Sequence, residues 1–141
     1  MKKFISLTII LVILDQITKF LLQNKEYGTS FIKFTYLENT GAAFGLFQNF
    51  NIIFIIISFL VLGFTIYYFK QYPLPLSLVI AGILGNLIDR LFFGFVRDFI
   101  SISIWPVFNL ADTFNTIGVI ILAYYFYKED KTYKPKTLSN K

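Results

Sequence analysis

The sequence predicts an all-α membrane protein, a four-transmembrane-helix bundle with a small extracytoplasmic β-rich loop region. Three observations predict it. The 141 residues are 56% hydrophobic and only 15% charged, far from the balance of a soluble domain. Four stretches are long and apolar enough to cross a hydrocarbon core of roughly 30 Å. The lysines outside those stretches gather on the connections that one face of such a bundle would share.

The clearest span is Ile52 to Phe69, which carries no charge at all. Phe4 to Leu22, Leu76 to about Phe93 and Ala111 to Tyr127 are interrupted by polar residues but are each long enough to span. Lys2 and Lys3 ahead of an apolar run imitate a secretory signal peptide. No small-residue cleavage site follows, and hydrophobic residues resume at Phe20, so this stretch reads as a retained helix.

Lys2, Lys3, Lys70 and the five lysines between Lys128 and Lys141 mark a cytoplasmic side. The loops Gln23 to Asn51 and roughly Gly94 to Leu110 balance Lys25 and Lys33 against Glu26 and Glu38, and Arg97 against Asp98, as expected on the far side. The first of them is rich in β-branched and aromatic residues and should form short strands at the membrane surface. Gly41 and Gly45 in it would allow close backbone approach to an extended ligand. Residues 1–128 read as one membrane-embedded domain, with an outer loop region at about 23–51, and 129–141 as a polar cytoplasmic tail. Topology and attraction to anionic membrane lipid account for the net charge of +5, so no nucleic-acid partner is implied.

The polar residues of the spans converge at one depth. Asp15 and Lys19, four apart on one helical face, lie in the outer half of the first helix; Asn86, Asp89 and Arg90 end the third; Asn109, Ala111 and Asp112 begin the fourth. Charges beside hydrocarbon cost several kcal/mol unless paired or wet, so such a gathering marks function. Asp15 with Lys19 also reads as helix-to-helix support.

There is no cysteine and no histidine. Thiol nucleophiles, disulfides and Ser-His triads are excluded, and zinc lacks its usual ligands. A carboxylate pair, a Ser-Lys dyad using Ser101 or Ser103 with Lys19, or a carboxylate-only metal site remain. The Ser-Lys route needs a deprotonated lysine, whereas Lys19 has Asp15 beside it. A carboxylate pair is simpler, since two acids in one site share a proton and thereby supply an acid and a base without a cofactor.

Four blocks carry a family resemblance: Asp15-Gln16-Ile17-Thr18-Lys19; Asn39-Thr40-Gly41-Ala42-Ala43-Phe44; Gly85-Asn86-Leu87-Ile88-Asp89-Arg90-Leu91 continuing through Gly94-Phe95-Val96-Arg97-Asp98-Phe99; and Phe108-Asn109-Leu110-Ala111-Asp112. In these the chain resembles the lipoprotein signal peptidases, or signal peptidase II. The resemblance implies an aspartic endopeptidase of the bacterial inner membrane that removes signal peptides from prolipoproteins just before a diacylglyceryl-modified cysteine, and a target of the cyclic peptide globomycin. It makes Asp98 and Asp112 the catalytic dyad. Asn39, Gly41, Asn86, Arg90 and Asn109 would meet substrate or inhibitor, and Asp15, Lys19 and Asp89 would be structural. Two departures, Ala81 before Gly82 and Asn115 at a commonly apolar position, touch helix packing only.

Taken alone, Asp98 also reads as a solvated loop carboxylate paired with Arg97, and Asp112 as a helix N-terminal residue favoured by the macrodipole. A small proton-coupled transporter is the competing function, but a pathway should leave polar residues at both leaflets, and the inner halves of the spans offer almost none. A purely structural scaffold leaves the charges unexplained.

Overall fold

The computed structural model describes residues 1–42 and 46–132. Four helices have membrane-spanning length and hydropathy: α1 (Lys2–Leu22), α2 (Asn51–Tyr68), α3 (Pro73–Phe92) and α4, which continues from Leu110 to Thr132. The protein is a multi-pass membrane protein. Helix α4 runs past the expected Tyr127 because Lys128 to Thr132 contain no helix breaker. Residues 43–45, including the expected Gly45 flank, and residues 133–141 of the expected tail lie outside the described residues.

Helix α3 is the central element, mostly buried and packed against each of the other three helices. Prolines at 73 and 75 begin it where missing N–H groups cost nothing. Its tightest partner is α4, and the reason lies in small residues. A Cβ on Gly82 would collide with the Ala111 carbonyl and the Asn115 side chain, and one on Gly85 would lie 2.5 Å from Asp15 Oδ2 and 3.0 Å from the Ala111 Cβ. Between apolar helices in lipid, such close backbone approach replaces the missing hydrophobic drive. Helices α1, α2 and α4 turn isoleucine, leucine, phenylalanine and tyrosine side chains outward. Large apolar surface of this kind fits hydrocarbon rather than water.

At one end of the bundle lies a three-stranded antiparallel sheet in the order β1 (Tyr27–Gly28), β2 (Ile32–Asn39), β3 (Val96–Ile102). The connection expected as an outer loop at 94–110 therefore contains a strand, and the sheet draws on both of the segments expected on the outer side. Gly94, at φ +82°, reverses the chain after α3 in a conformation that suits glycine, and β3 follows within two residues. Register pairs Leu37 with Asp98 and Asn39 with Val96. Asn39 and Asp98 are thus diagonal neighbours across the strands, within side-chain reach on one face.

Candidate active site

Asp98 is not a solvated loop carboxylate. It sits on β3 and is 1% exposed, because β3 lies between β2 and the ends of α1 and α3. Nor does Arg97 pair with it. Successive strand residues point to opposite sides, so Arg97 turns the other way and closes on Asp89, Nη2 to Oδ1 at 2.7 Å and Nε to Oδ2 at 3.2 Å.

Asp112 is placed by the start of α4. The Asp112 N–H donates to Asn109 Oδ1 at 3.0 Å, and Asp112 Oδ2 accepts from the Asn109 N–H at 3.1 Å. This reciprocal pair satisfies donors that the helix start leaves open, as a capping box does with other residue types. Another open donor, the Ala111 N–H, goes to Asp15 Oδ1 at 2.9 Å. The helix-terminal reading of Asp112 is correct as local geometry, but Oδ1 remains free of the cap and accepts from Asn86 Nδ2 at 2.8 Å.

Three asparagines tie the two carboxylates together. Asn39 Nδ2 donates to Asp98 Oδ2 at 2.9 Å, Asn109 Nδ2 to Asp98 Oδ1 at 2.6 Å, and Asn109 Nδ2 also reaches Asn86 Oδ1 at 3.0 Å. Burial pushes the Asp98 carboxyl up to about 7, and the neighbouring Asp112 carboxylate pushes the same way. The amides of Asn39 and Asn109 and the charge of Lys19 oppose the rise. Asp98 is therefore the carboxyl that keeps a proton up to about pH 7.

Both carboxylates line a cavity of about 250 Å³ together with Asn39, Gly41, Asn86 and Arg90. Arg90 Nη2 donates to the Gly41 carbonyl at 3.3 Å, its guanidinium lies 5.0 Å from the Phe54 ring centre, and its Nε is buried without a hydrogen-bond partner. Gly41 does provide close backbone approach, but to its own loop: a Cβ there would meet the backbone of Leu46 and Phe47. Asn109, expected among the ligand contacts, is fully buried with its amide spent on Asp98, Asn86 and the Asp112 N–H, so it braces the carboxylates from below.

Beneath the asparagines lies a buried charge cluster. Lys19 Nζ is 2.9 Å from Asp15 Oδ2 and 3.4 Å from Asp89 Oδ2, with all three side chains fully buried. With Arg97 the cluster has two positive and two negative members. Lys19's hydrogen-bond partners are Asn86 and the Gly85 carbonyl, none of them a serine, which removes the geometry that a Ser-Lys dyad needs. Among the described residues no group of three or more acidic side chains converges as metal ligands.

Sequence reasoning missed Gln16, whose Nε2 reaches Asp15, the Gly85 carbonyl and Asp89 while its Oε1 accepts from Arg97. Its place beside Asp15 in an apolar span was the available signal. It also missed the cavity wall formed by Trp105, Pro106, Val107 and Phe108, for which the sequence has no periodic signature.

A bundle of membrane-spanning helices that holds two acids at a cavity beneath the sheet at one of its ends defines a polytopic membrane enzyme. The comparisons agree. A solved bacterial membrane enzyme, determined by the in meso method, superposes with a TM-score of 0.88 at 31% identity, covering 99% of this chain and 96% of that one. The lipoprotein signal peptidase of Halothermothrix orenii is 40% identical over 87% of this chain and 94% of its own length. That of Moorella thermoacetica is 38% identical over 86% and 90%. The family model described as signal peptidase (SPase) II matches residues 7–128. The chain belongs to the signal peptidase II family and is a protease, and the transporter reading is not favoured.

Proposed function

We propose that this peptidase removes signal peptides from prolipoproteins by aspartic chemistry, with Asp98 and Asp112 as the reacting pair. The observation that carries this reading is the convergence of the two carboxylates on one cavity, bridged by Asn86 and Asn109. A water between them would lose its proton to the ionised member as its oxygen attacks the scissile carbonyl carbon. The protonated member donates to the carbonyl oxygen, giving a neutral tetrahedral diol. Collapse breaks the C–N bond: the proton held by the first carboxyl goes to the leaving amine, and a diol hydroxyl returns a proton to the second carboxylate, which restores the starting pair. Each carboxyl accepts from two donors, so it is the deeper burial of Asp98, which raises its carboxyl, that favours Asp112 as the base.

Asn39, Gly41, Asn86 and Arg90 would hold the extended peptide. The partnerless Nε of Arg90 supports that role, because a buried donor favours a ligand carbonyl. Cyclic peptides of the globomycin type would fill the same cavity. Asn109 positions the dyad; Asp15, Lys19 and Asp89 support it. The domain is residues 1–128 with a polar tail from 129, both termini face the cytoplasm of a bacterial cell, and the dyad lies at the outer leaflet of its inner membrane. The lysine distribution supports this orientation.

A cut just before a diacylglyceryl-modified cysteine follows from that depth, since acyl chains can remain in membrane lipid while the scissile bond meets the cavity. The test is cleavage of one prolipoprotein with and without its lipid. Strong preference for the lipidated form is expected, through positioning rather than added hydrophobic burial. Equal cleavage of both would refute the substrate assignment. A cysteine introduced at Lys33 should label from the outer side only, and one at Lys70 from the cytoplasmic side only.

A further inference from the structure

Lys19 belongs to the buried cluster of charges, and an ion pair with Asp15 would suffice for a structural role. Its ammonium does more than that pair requires. A lysine has three protons to donate and accepts nothing. Here Nζ faces Asp15 Oδ2 at 2.9 Å, Asn86 Oδ1 at 2.9 Å and the Gly85 carbonyl at 3.2 Å, with Asp89 at 3.4 Å. The contact with Asn86 crosses from α1 to the α3 side chain that touches Asp112.

A side-chain amide has two faces of opposite character, and which one points where is set by its neighbours. Asn86 Oδ1 receives two donors, Lys19 Nζ and Asn109 Nδ2, while its Nδ2 donates to Asp112 Oδ1 at 2.8 Å. Turning the amide over would set its N–H₂ against two donors. It would also set its oxygen against Asp112, and that contact holds only if Asp112 carries the proton. The obligate donor on Lys19 therefore excludes the orientation that would move the shared proton to the wrong carboxyl.

We propose that Lys19 is a positioning residue for the acid pair, acting through the Asn86 amide so that Asp112 meets a donor and stays the base. This rests on the assignment of Asp98 and Asp112 as the reacting pair. Lys19 itself touches neither carboxylate of that pair by hydrogen bond or ion pair, which separates it from the catalytic groups.

The test is a set of variants assayed with lipidated prolipoprotein in detergent, with kcat, KM and melting temperature read for each. Asp15→Asn leaves Lys19 held by Asp89, Gly85 and Asn86, and is expected to keep kcat within about threefold. Adding Lys19→Met to it removes the pair without stranding a charge. Loss of about 10- to 100-fold in kcat with KM within about twofold is expected, the range for a lost charge-assisted hydrogen bond. In an Asn86→Ala background the same two changes should lower kcat by less than about threefold while lowering the melting temperature as before, because residues acting through one another are not additive. An equal kcat factor in both backgrounds, or no loss on removing Lys19, overturns the proposal.

Asn86→Asp gives an independent arm if the lysine variants do not fold. Combined with Asp15→Asn it gives Lys19 a new partner and keeps the cluster at two positive and two negative members, but presents an acceptor to Asp112. Loss of kcat is expected, and retained cleavage overturns the proposal. Cleavage retained by Asp98→Asn or Asp112→Asn would instead sink the assignment of the pair, so the two failures are distinguishable.

Discussion

Arg97 and Asp89 form the closest ion pair of the buried cluster, with two side-chain contacts at 2.7 and 3.2 Å and a third bond from the Arg97 N–H to Asp89 Oδ2 at 2.9 Å. This clamp fixes the first residues of β3 to the end of α3. It therefore sets the strand position from which the next residue, Asp98, enters the cavity. The Arg97 guanidinium also lies 4.4 Å from the Phe93 ring centre, which covers its face.

Breaking that clamp on one side should be costly. Asp89→Leu leaves Arg97 and part of Lys19's charge without a buried partner, and a loss of about 3–5 kcal/mol is expected. The double variant Asp89→Leu/Arg97→Leu should recover part of that loss, because no charge is then stranded. Thermal unfolding in one detergent measures both. A double variant no more stable than Asp89→Leu alone would overturn this account.

How much of this was legible in the sequence depended on whether the signal was local. The spans were legible because length and apolar content decide them, and α1 to α3 end within a few residues of expectation. The gathering of Asp15, Asn86 and Asp112 at one depth followed from counting along helices of alternating direction. Strand β3 was not legible, since alternation appears only when one face meets solvent, whereas Val96 to Phe99 are buried on both sides. The partner of Arg97 was hidden for a related reason. Nearness in sequence suggested Asp98, and only the strand's alternation turns Arg97 toward α3.

Asn115 is a small misfit that should be improvable. Its Oδ1 is buried against Gly82 with no hydrogen-bond partner. A buried unpaired carbonyl costs about 1–3 kcal/mol. Asn115→Ala, which removes the unpaired amide without crowding Gly82, should raise the melting temperature and leave kcat unchanged. Gly82→Ala should do the opposite, forcing α3 and α4 apart at a cost of about 1–3 kcal/mol. An Asn115→Ala variant less stable than the parent would overturn the reading of this amide as unsatisfied.

Substitution at the acid pair should be all-or-none. Asn keeps the shape of Asp but can neither act as a base nor share a proton. Asp98→Asn and Asp112→Asn are each expected to lower kcat by at least about 1,000-fold, and the double variant by little more, as for groups that act as a unit. Melting temperature is the control for folding. A protein folded as the parent with more than about a tenth of parental activity would remove that residue from the reacting pair.

The last prediction concerns pH and follows from the Asp98 carboxyl lying at about 7 against an ordinary 3.8. Its cause is burial first and the Asp112 carboxylate second, so the folded protein binds a proton that the unfolded chain has already released. Between these two values stability must fall as pH rises, because the native state holds more protons; outside the window this group contributes no slope. Asp98→Asn mimics the protonated form and should lose that slope, so its melting temperature relative to the parent should rise between about pH 5 and pH 8. Activity runs on the same proton: once the pair loses it, no acid remains for the scissile carbonyl. The rate should therefore decline above about pH 7, approaching tenfold per unit, with KM little affected because the peptide contacts do not titrate there. Initial rates from about pH 5 to pH 9 at fixed lipid composition give the limb, and melting curves over the same range give the slope. A rate still rising at the alkaline end would mean that the pair works with both carboxylates ionised, which is incompatible with one of them donating to the carbonyl oxygen.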